Sequence, residues 1–298
     1  MNPGNTNRLT SRRGAALLAV IWLIAILAIA TMTALRVVTF DINLASAKIH
    51  GSRARHIAEM GIAVGANPAV KRTDPLLRRL NGDEGFEARI MSEGGRFNIN
   101  AILLKQDKPL LRSIFEQWGL ELDAAQAVTD ALGDWVDSDD NIALNGAEKG
   151  EYEKAGRINQ PFNRPFYDIS EMRLVRGMNE VEALRPDWQQ WFTVWSGGAL
   201  DLNEASAELI AAAAECSVGQ ADIIPQTVIG PDGQRDTVDD VPFQNAAAAL
   251  ELLGMRMDGR PDIAQRFTVN DPTTRIESLG QAEGAKRKIT VIIRNRTG

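Results

Sequence analysis

The chain has one cysteine, Cys216, and two histidines, His50 and His56, among its 298 residues. A single cysteine cannot close an intrachain disulfide, so packing or bound ions must stabilise the fold even in an oxidising compartment. The histidines are six residues apart on a predicted helix and do not share a face at ligand spacing. The sequence contains neither the Gly-x-Ser-x-Gly motif of hydrolases nor the His-Glu-x-x-His motif of zinc peptidases. We therefore do not expect an enzyme.

Charge is also missing from residues 14–35, a run of 22 residues. As a helix this run is roughly 33 Å long, enough to cross a bilayer core of about 30 Å. Three basic residues and no acidic residue precede it, which places the N-terminus in the cytoplasm and the remaining chain across the membrane. The basic residues are Arg8, Arg12 and Arg13. The sequence therefore predicts a single-pass membrane protein with an extracytoplasmic head.

The helical pattern continues beyond the membrane segment. Apolar residues recur at intervals of three and four until Asn67 and Pro68, where proline ends the pattern. We predict one helix over residues 15–66, with residues 15–35 in the membrane. The basic stretch that ends at Gly14, directly before Ala15, resembles the leader of type IV pilins and type II secretion pseudopilins. A plain membrane anchor with basic flanks has the same appearance, so residues 1–14 are a leader or an anchor flank.

Alternating residues near both ends of the soluble part predict strands. Residues 86–90 and 97–99 alternate on either side of a Gly-Gly pair, which predicts a hairpin that follows a basic loop at residues 71–79. Residues 275–279 and 288–293 predict a second hairpin. We therefore expect an antiparallel sheet head built from residues 67–100 and 263–298.

The middle of the chain differs in both charge and pattern. Residues 101–262 contain 29 acidic and 13 basic residues, a net charge of −16, whereas the remainder has a net charge of +10. Helical apolar stripes at residues 111–118 and 128–135 indicate that this part is helical. The predicted fold class is thus α+β, with a long transmembrane helix, an antiparallel sheet head and a large all-helical insertion at residues 101–262.

One acidic loop in the insertion has the spacing of a calcium loop. Oxygen-bearing side chains occupy positions 1, 3, 5, 9 and 12 of a twelve-residue segment. The segment departs from an EF-hand at position 6, where Ile142 replaces glycine, so an irregular calcium loop and a solvated acidic loop both remain open. The candidate ligands are Asp137, Asp139, Asn141, Asn145 and Glu148, with Glu151 as a spare ligand.

Taken together, six features resemble the protein K minor pseudopilins of type II secretion systems. They are the Arg-Gly leader, Ala19 at the fifth position after Gly14, residues 58–61, residues 95–100, residues 134–139 with 146–148, and residues 168–173. Most pseudopilins carry glutamate where this chain has Ala19. The resemblance implies a pseudopilin-type head, cleavage by the prepilin peptidase between Gly14 and Ala15, and N-methylation. It also implies calcium in the head and a place beside the I and J minor pseudopilins at the tip of the periplasmic pseudopilus.

Two other protein classes share some of these features. A type IV pilus-like minor pilin would have a similar leader and helix. Residues 168–178 and 196–205 also resemble helix-hairpin-helix modules, which contact nucleic-acid backbones. Neutralising phosphates requires lysine and arginine, however, and the insertion carries a net charge of −16. We therefore expect no nucleic-acid partner.

Overall fold

The computed structural model describes residues 8–255 and 259–296, with side chains from residue 16 onward. The α-helices are α1 Arg8–Ala66, α2 Ile99–Leu104, α3 Lys108–Gln117, α4 Leu122–Val136, α5 Lys149–Lys154, α6 Met178–Leu184, α7 Ala207–Ala214, α8 Val218–Ala221, α9 Ile223–Ile229, α10 Ala246–Leu252 and α11 Pro261–Ala264. The strands are β1 Arg78–Asn81, β2 Glu84–Ser92, β3 Phe97–Asn98, β4 Phe192–Thr193, β5 Leu200–Asp201, β6 Phe267–Thr268, β7 Thr273–Ala282 and β8 Ala285–Arg294.

Helix α1 is 59 residues long, which corresponds to roughly 90 Å. It ends at Ala66, as predicted from the proline at position 68, but it begins at Arg8 rather than at residue 15. Its apolar N-terminal part contains an 18-residue window with a mean hydropathy of 2.6, none of it buried by the rest of the chain. Residues 1–7 of the predicted leader lie outside the described residues, and at Gly14 and Ala15 only the backbone is described.

The head contains a four-stranded antiparallel sheet in the order β1-β2-β7-β8. The C-terminal hairpin is confirmed, because β7 and β8 pair along their whole length from Thr273 opposite Arg294 to Ala282 opposite Ala285. The predicted hairpin of residues 86–90 with 97–99 is wrong, since β2 pairs with β1 and β7 instead. The predicted basic loop at residues 71–79 is only partly a loop. It contains a 3₁₀ helix at Pro75–Leu77 and the first residues of β1.

Small residues let α1 lie close against this sheet. Ala54 and Ala58 are fully buried, and a Cβ at Gly65 would come within 2.7 Å of Ile276 Cγ2. On the facing strand, a Cβ at Gly280 would collide with the backbone of α1 at Ala54 and Ala58. Helix α1 is therefore joined to the head by direct packing, not by a linker.

The helical insertion has its own hydrophobic core, separate from the one beneath the sheet. Its largest fully buried side chains include Trp135, Trp188 and Phe115. The insertion is helical apart from β4 and β5, which make short parallel pairs with β3 and β6. These two strands correct the prediction of an all-helical insertion, and they anchor the insertion to the chain segments that enter and leave the sheet.

Polar contacts hold the two cores together. The Arg72 guanidinium, just after α1, forms a bidentate pair with Glu204 at 2.6 and 3.0 Å. Arg235 donates to the same carboxylate at 3.2 Å. The Asp271 backbone N–H, at the entry to β7, donates to Asp201 Oδ2 at 2.8 Å. The insertion is thus fixed relative to the head.

Candidate metal site

Three carboxylates meet where α4 ends and α5 begins. One oxygen each from Asp134, Asp137 and Glu148 lies within 4.8 Å of the others. Asp134 is in the last turn of α4 and Asp137 is its C-cap residue, so both lie at the negative end of a helix dipole. Without a cation this arrangement concentrates like charges where they repel one another and the helix end.

Glu148 is the most unusual member of the cluster. Its residue is only 5% exposed, and within the described chain neither carboxylate oxygen has a hydrogen-bond partner. It precedes α5 but makes no capping bond to that helix. Burial, together with the charges of Asp134 and Asp137, raises the pKa of Glu148 to about 7. A buried carboxylate without donors is in the state that a bound cation would stabilise.

Asp134 is fixed by the loop that follows α4. Its two oxygens accept the Ala143 backbone N–H at 3.3 and 3.1 Å. The loop approaches so closely at Gly146 that a Cβ there would collide with the Asp134 carboxylate. Burial raises the pKa of Asp134, and partial burial followed by the charge of Asp134 raises the pKa of Asp137. The pKa of each of the three carboxylates is therefore raised. A bound divalent cation would lower all three pKa values.

An aromatic cluster positions α4 and α5 behind the carboxylates. The fully buried Trp135 ring meets Tyr152 of α5 edge-on at 5.4 Å between centroids, and Phe162 at 5.0 Å. The Tyr152 hydroxyl accepts the Arg176 backbone N–H at 3.2 Å. Because the indole is adjacent in sequence to Asp134, this packing sets the position of that carboxylate.

The structure brings together only part of the predicted ligand set. Asp137 and Glu148 lie in the cluster, whereas the carboxylates of Asp139 and Glu151 lie outside it. The Asp139 carboxylate accepts the Asn141 backbone N–H at 2.8 Å, and Glu151 pairs with Lys154 at 2.7 Å. Asp134 was missed because the twelve-residue template starts at Asp137. The sequence signal that could have identified Asp134 is its position three residues before Asp137 at the end of a predicted helix.

The raised pKa of Glu148 predicts how stability depends on pH when divalent cations are removed. Its folded pKa of about 7 lies above the ordinary value of 4.5, so between these values the folded state binds more protons than the unfolded state. This contribution is fully present below about pH 4.5 and is lost as the pH rises toward 7. In chelator, the melting temperature of residues 36–298 should fall between about pH 5 and about pH 7.5, relative to Glu148→Gln. Parallel pH profiles for the two proteins would contradict this assignment.

Comparison with known proteins places the cluster within a recognised segment. Residues 95–187 match the family model described as type II secretion system (T2SS), protein K. The protein K of Pseudomonas aeruginosa is 32% identical over 154 residues, covering 48% of this chain and 44% of that protein. The protein K of Klebsiella pneumoniae is 37% identical over 112 residues, covering 34% of each chain. The aligned segments thus span less than half of either relative.

The fold is also shared with a solved structure. A chain of the GspK-GspI-GspJ complex from the type 2 secretion system of enterotoxigenic Escherichia coli matches with a TM-score of 0.61. The match covers 87% of this chain and 94% of that chain at 14% sequence identity. The α+β architecture with its long N-terminal helix is therefore confirmed. Residues 95–187 are therefore similar to type II secretion system protein K.

Proposed function

We propose that the protein is a minor pseudopilin of a type II secretion system, located at the tip of the periplasmic pseudopilus, where it helps initiate assembly. The observation that carries the proposal is α1, one helix that is apolar enough to span a membrane and that packs directly on the sheet head. A rigid connection of this kind suits a subunit that is extracted from the bilayer into a filament. The role is structural, and the protein acts in protein export without catalysing a reaction.

The charges around α1 support an orientation. Arg8, Arg12 and Arg13 precede the apolar run, so the positive-inside bias keeps the N-terminus in the cytoplasm. The head, with its acidic insertion, then lies in the periplasm. The anchoring membrane is the inner membrane.

The leader is proposed to end at Gly14, with Ala15 as the first residue of the mature, N-methylated protein. Gly14→Glu should block cleavage by the prepilin peptidase, because a bulky charged side chain would occupy the position before the cut bond. The protein should then remain at its full mass of 32.6 kDa, while wild type is shortened by the leader. Mass spectrometry of the membrane fraction measures this, and a variant with a mature N-terminus at Ala15 would contradict the leader assignment.

Ala19 supports the tip position. In pseudopilins the glutamate at this position neutralises the N-terminal amine of a neighbouring subunit within lipid, where an unpaired charge is costly. Ala19 cannot provide that partner, so this subunit is suited to be the first and not to join below others.

The Ala19→Glu variant tests this argument. The added carboxylate should let the subunit enter the filament body, so the number of copies per pseudopilus should rise above the wild-type number. Quantitative immunoblotting of sheared filaments measures the ratio, with Ala19→Gln as the neutral control of similar size. An unchanged ratio in Ala19→Glu would remove the charge argument for the tip.

We further propose that Asp134, Asp137 and Glu148 hold a calcium ion. Calcium prefers hard oxygen ligands and tolerates irregular geometry, and three carboxylates supply part of its usual six to eight oxygens. The ion would join the end of α4 to the start of α5 and would replace the hydrogen bonds that Glu148 lacks. In a chain with one cysteine, such a cross-link takes the place that a disulfide has in other periplasmic proteins.

A role in binding nucleic acid is not favoured by the surface of the insertion. Each of the four arginines between residues 160 and 215 is engaged inside the chain. Arg164 pairs with Glu171, Arg173 with Glu182 and Arg185 with Asp187, while Arg176 donates to the Asn145 carbonyl. None of them forms part of an unpaired positive stripe that could neutralise phosphates.

Co-purification tests the proposed function. The detergent-solubilised protein should be isolated with the I and J minor pseudopilins encoded by the same organism. A type IV pilus-like minor pilin would instead be isolated with pilus subunits. Recovery of the protein without I and J pseudopilins, under conditions that preserve α1, would count against the proposal.

A further inference from the structure

A cleft between the sheet head and the insertion is not used by the function proposed above. It has a volume of about 330 Å³, and β8 forms one of its walls. Arg96, from the segment 95–100 that carries part of the family resemblance, lies in this cleft. Its other lining residues include Asp168, Ile169, Trp195, Arg275 and Ile292.

The guanidinium of Arg96 has few polar contacts for a group so little exposed. Its side chain is 27% exposed, and within the described residues its five N–H donors make no side-chain hydrogen bond. The nearest carboxylate oxygen is Glu93 Oε1, at 3.9 Å from Nη1. Burial lowers the pKa of Arg96, an effect that Glu93 opposes and Arg275 reinforces. The group remains a cation with its donors open to the cleft.

The two carboxylates that line the cleft already accept hydrogen bonds from other residues. Glu93 accepts Arg275 Nη1 at 3.3 Å, and its other oxygen accepts the Thr193 hydroxyl. Asp168 accepts the backbone N–H of Ser170 at 2.8 Å and also the hydroxyl of that residue. Both Glu93 oxygens are therefore engaged, and Asp168 forms no ion pair with Arg96 among the described residues.

The walls of the cleft would strengthen binding of an anion at Arg96. Ile169 and Ile292 are half-buried, while Trp195 remains 46% exposed at the rim. Apolar walls reduce competition from water, which makes a charge-assisted hydrogen bond stronger than at an open surface.

The strand beside the cleft favours an extended, acidic ligand. β8 is the last strand of the sheet, so its outer edge has no partner strand among the described residues. Residues 285–296 contain five basic residues and no acidic residue. An unpaired strand edge accepts extended peptide segments through backbone hydrogen bonds, and a basic edge selects acidic ones.

We propose that this cleft binds a side-chain carboxylate from an extended acidic segment of a partner protein, held by the Arg96 guanidinium through two parallel N–H···O hydrogen bonds. The bidentate geometry is the one that guanidinium and carboxylate groups favour. The site depends neither on the calcium cluster nor on a tip position, so its test is separate from theirs.

The test compares two blocked peptides on the full-length protein in detergent micelles. The first is N-acetylated and C-amidated Thr-Val-Glu-Val-Thr, and the second has Gln in place of Glu. Calorimetry should show the Glu peptide binding about tenfold more tightly, because a charge-assisted pair replaces a neutral contact. Arg96→Gln should remove the preference for the Glu peptide. Arg96→Lys should retain part of it, since lysine keeps the positive charge but not the two parallel N–H donors of the guanidinium.

Arg89→Gln is the matched control. Arg89 is an exposed arginine on β2, 72% exposed and 3.4 Å from Glu87, and its removal should leave the preference intact. Arg96→Gln should fold, because Glu93 keeps its contact with Arg275, and melting curves verify this. Equal affinity of wild type for both peptides, or an undiminished preference in Arg96→Gln, would overturn the proposal. If Arg96→Gln does not fold, the affinities of the two peptides for wild type and for Arg96→Lys test the proposal instead.

Discussion

Chelation of calcium should lower the melting temperature of residues 36–298 by roughly 5–10 °C. A ligand that binds only the folded state stabilises it by about 2.7 kcal/mol at 100 times its dissociation constant. For a protein of this size each kcal/mol corresponds to roughly 2–4 °C. The proposed ion should have a large effect, because without it Glu148 is buried beside Asp134 and Asp137 with no hydrogen-bond partner among the described residues.

Two sets of variants sharpen this experiment. Asp134→Asn and Glu148→Gln should each remove most of the difference between melts in calcium and in chelator, since each lacks one carboxylate of the cluster. Glu151→Gln is the matched control, because its carboxylate pairs with Lys154 outside the cluster, and it should keep the full difference. A wild-type melt that chelator leaves unmoved, with no heat of calcium binding, would reduce the cluster to an acidic turn.

Gly280→Val should detach α1 from the sheet. The new side chain would collide with the α1 backbone at Ala54 and Ala58, which cannot move aside without shifting the whole helix. We expect the free energy of unfolding to fall by about 3 kcal/mol, the upper end of the usual cost of an overpacked core. Because the insertion has its own core, the damage should be confined to the head.

Amide hydrogen exchange measures that pattern directly. Protection should fall in β2, β7 and residues 51–66 of α1, while α3 and α4 keep wild-type protection. Leu279→Val is the control, since that side chain is partly exposed on the opposite face of the same strand. Equal loss of protection in the head and the insertion would mean that the two cores are not independent.

Elements with a local cause were predictable from the sequence. The end of α1 follows from Pro68, which removes a backbone donor and excludes the helical conformation at the residue before it. The β7–β8 hairpin was predictable because both strands alternate and a Gly-containing turn separates them. In each example the determining residues lie within a few positions of the element.

The wrong hairpin has a non-local cause. β2 alternates as predicted, but its main partner β7 begins 181 residues after the end of β2, and no local signal specifies that pairing. β3 has two residues, too few for a periodic pattern, and its partner β4 lies across the insertion. The sequence also predicted an all-helical insertion, because β4 and β5 have two residues each and are too short to show a periodic pattern.

The carboxylate cluster was predictable only in part. Spacing along the loop identified Asp137 and Glu148, the two ends of the twelve-residue segment. It could not identify Asp134, whose position depends on the loop turning back at Gly146 to meet the helix. It also included Asp139, whose carboxylate accepts the Asn141 backbone N–H instead of joining the cluster. Ligand identity depends on the path of the loop in space, which spacing alone does not specify.

Localisation along the pseudopilus tests the central claim most directly. Sheared filaments should be labelled with gold-conjugated antibody against the insertion, residues 101–262, and imaged by electron microscopy. The account predicts label at one end of each filament and none along its length. Label distributed along the filament body, with wild-type Ala19 in place, would contradict the proposal that this protein is the tip subunit.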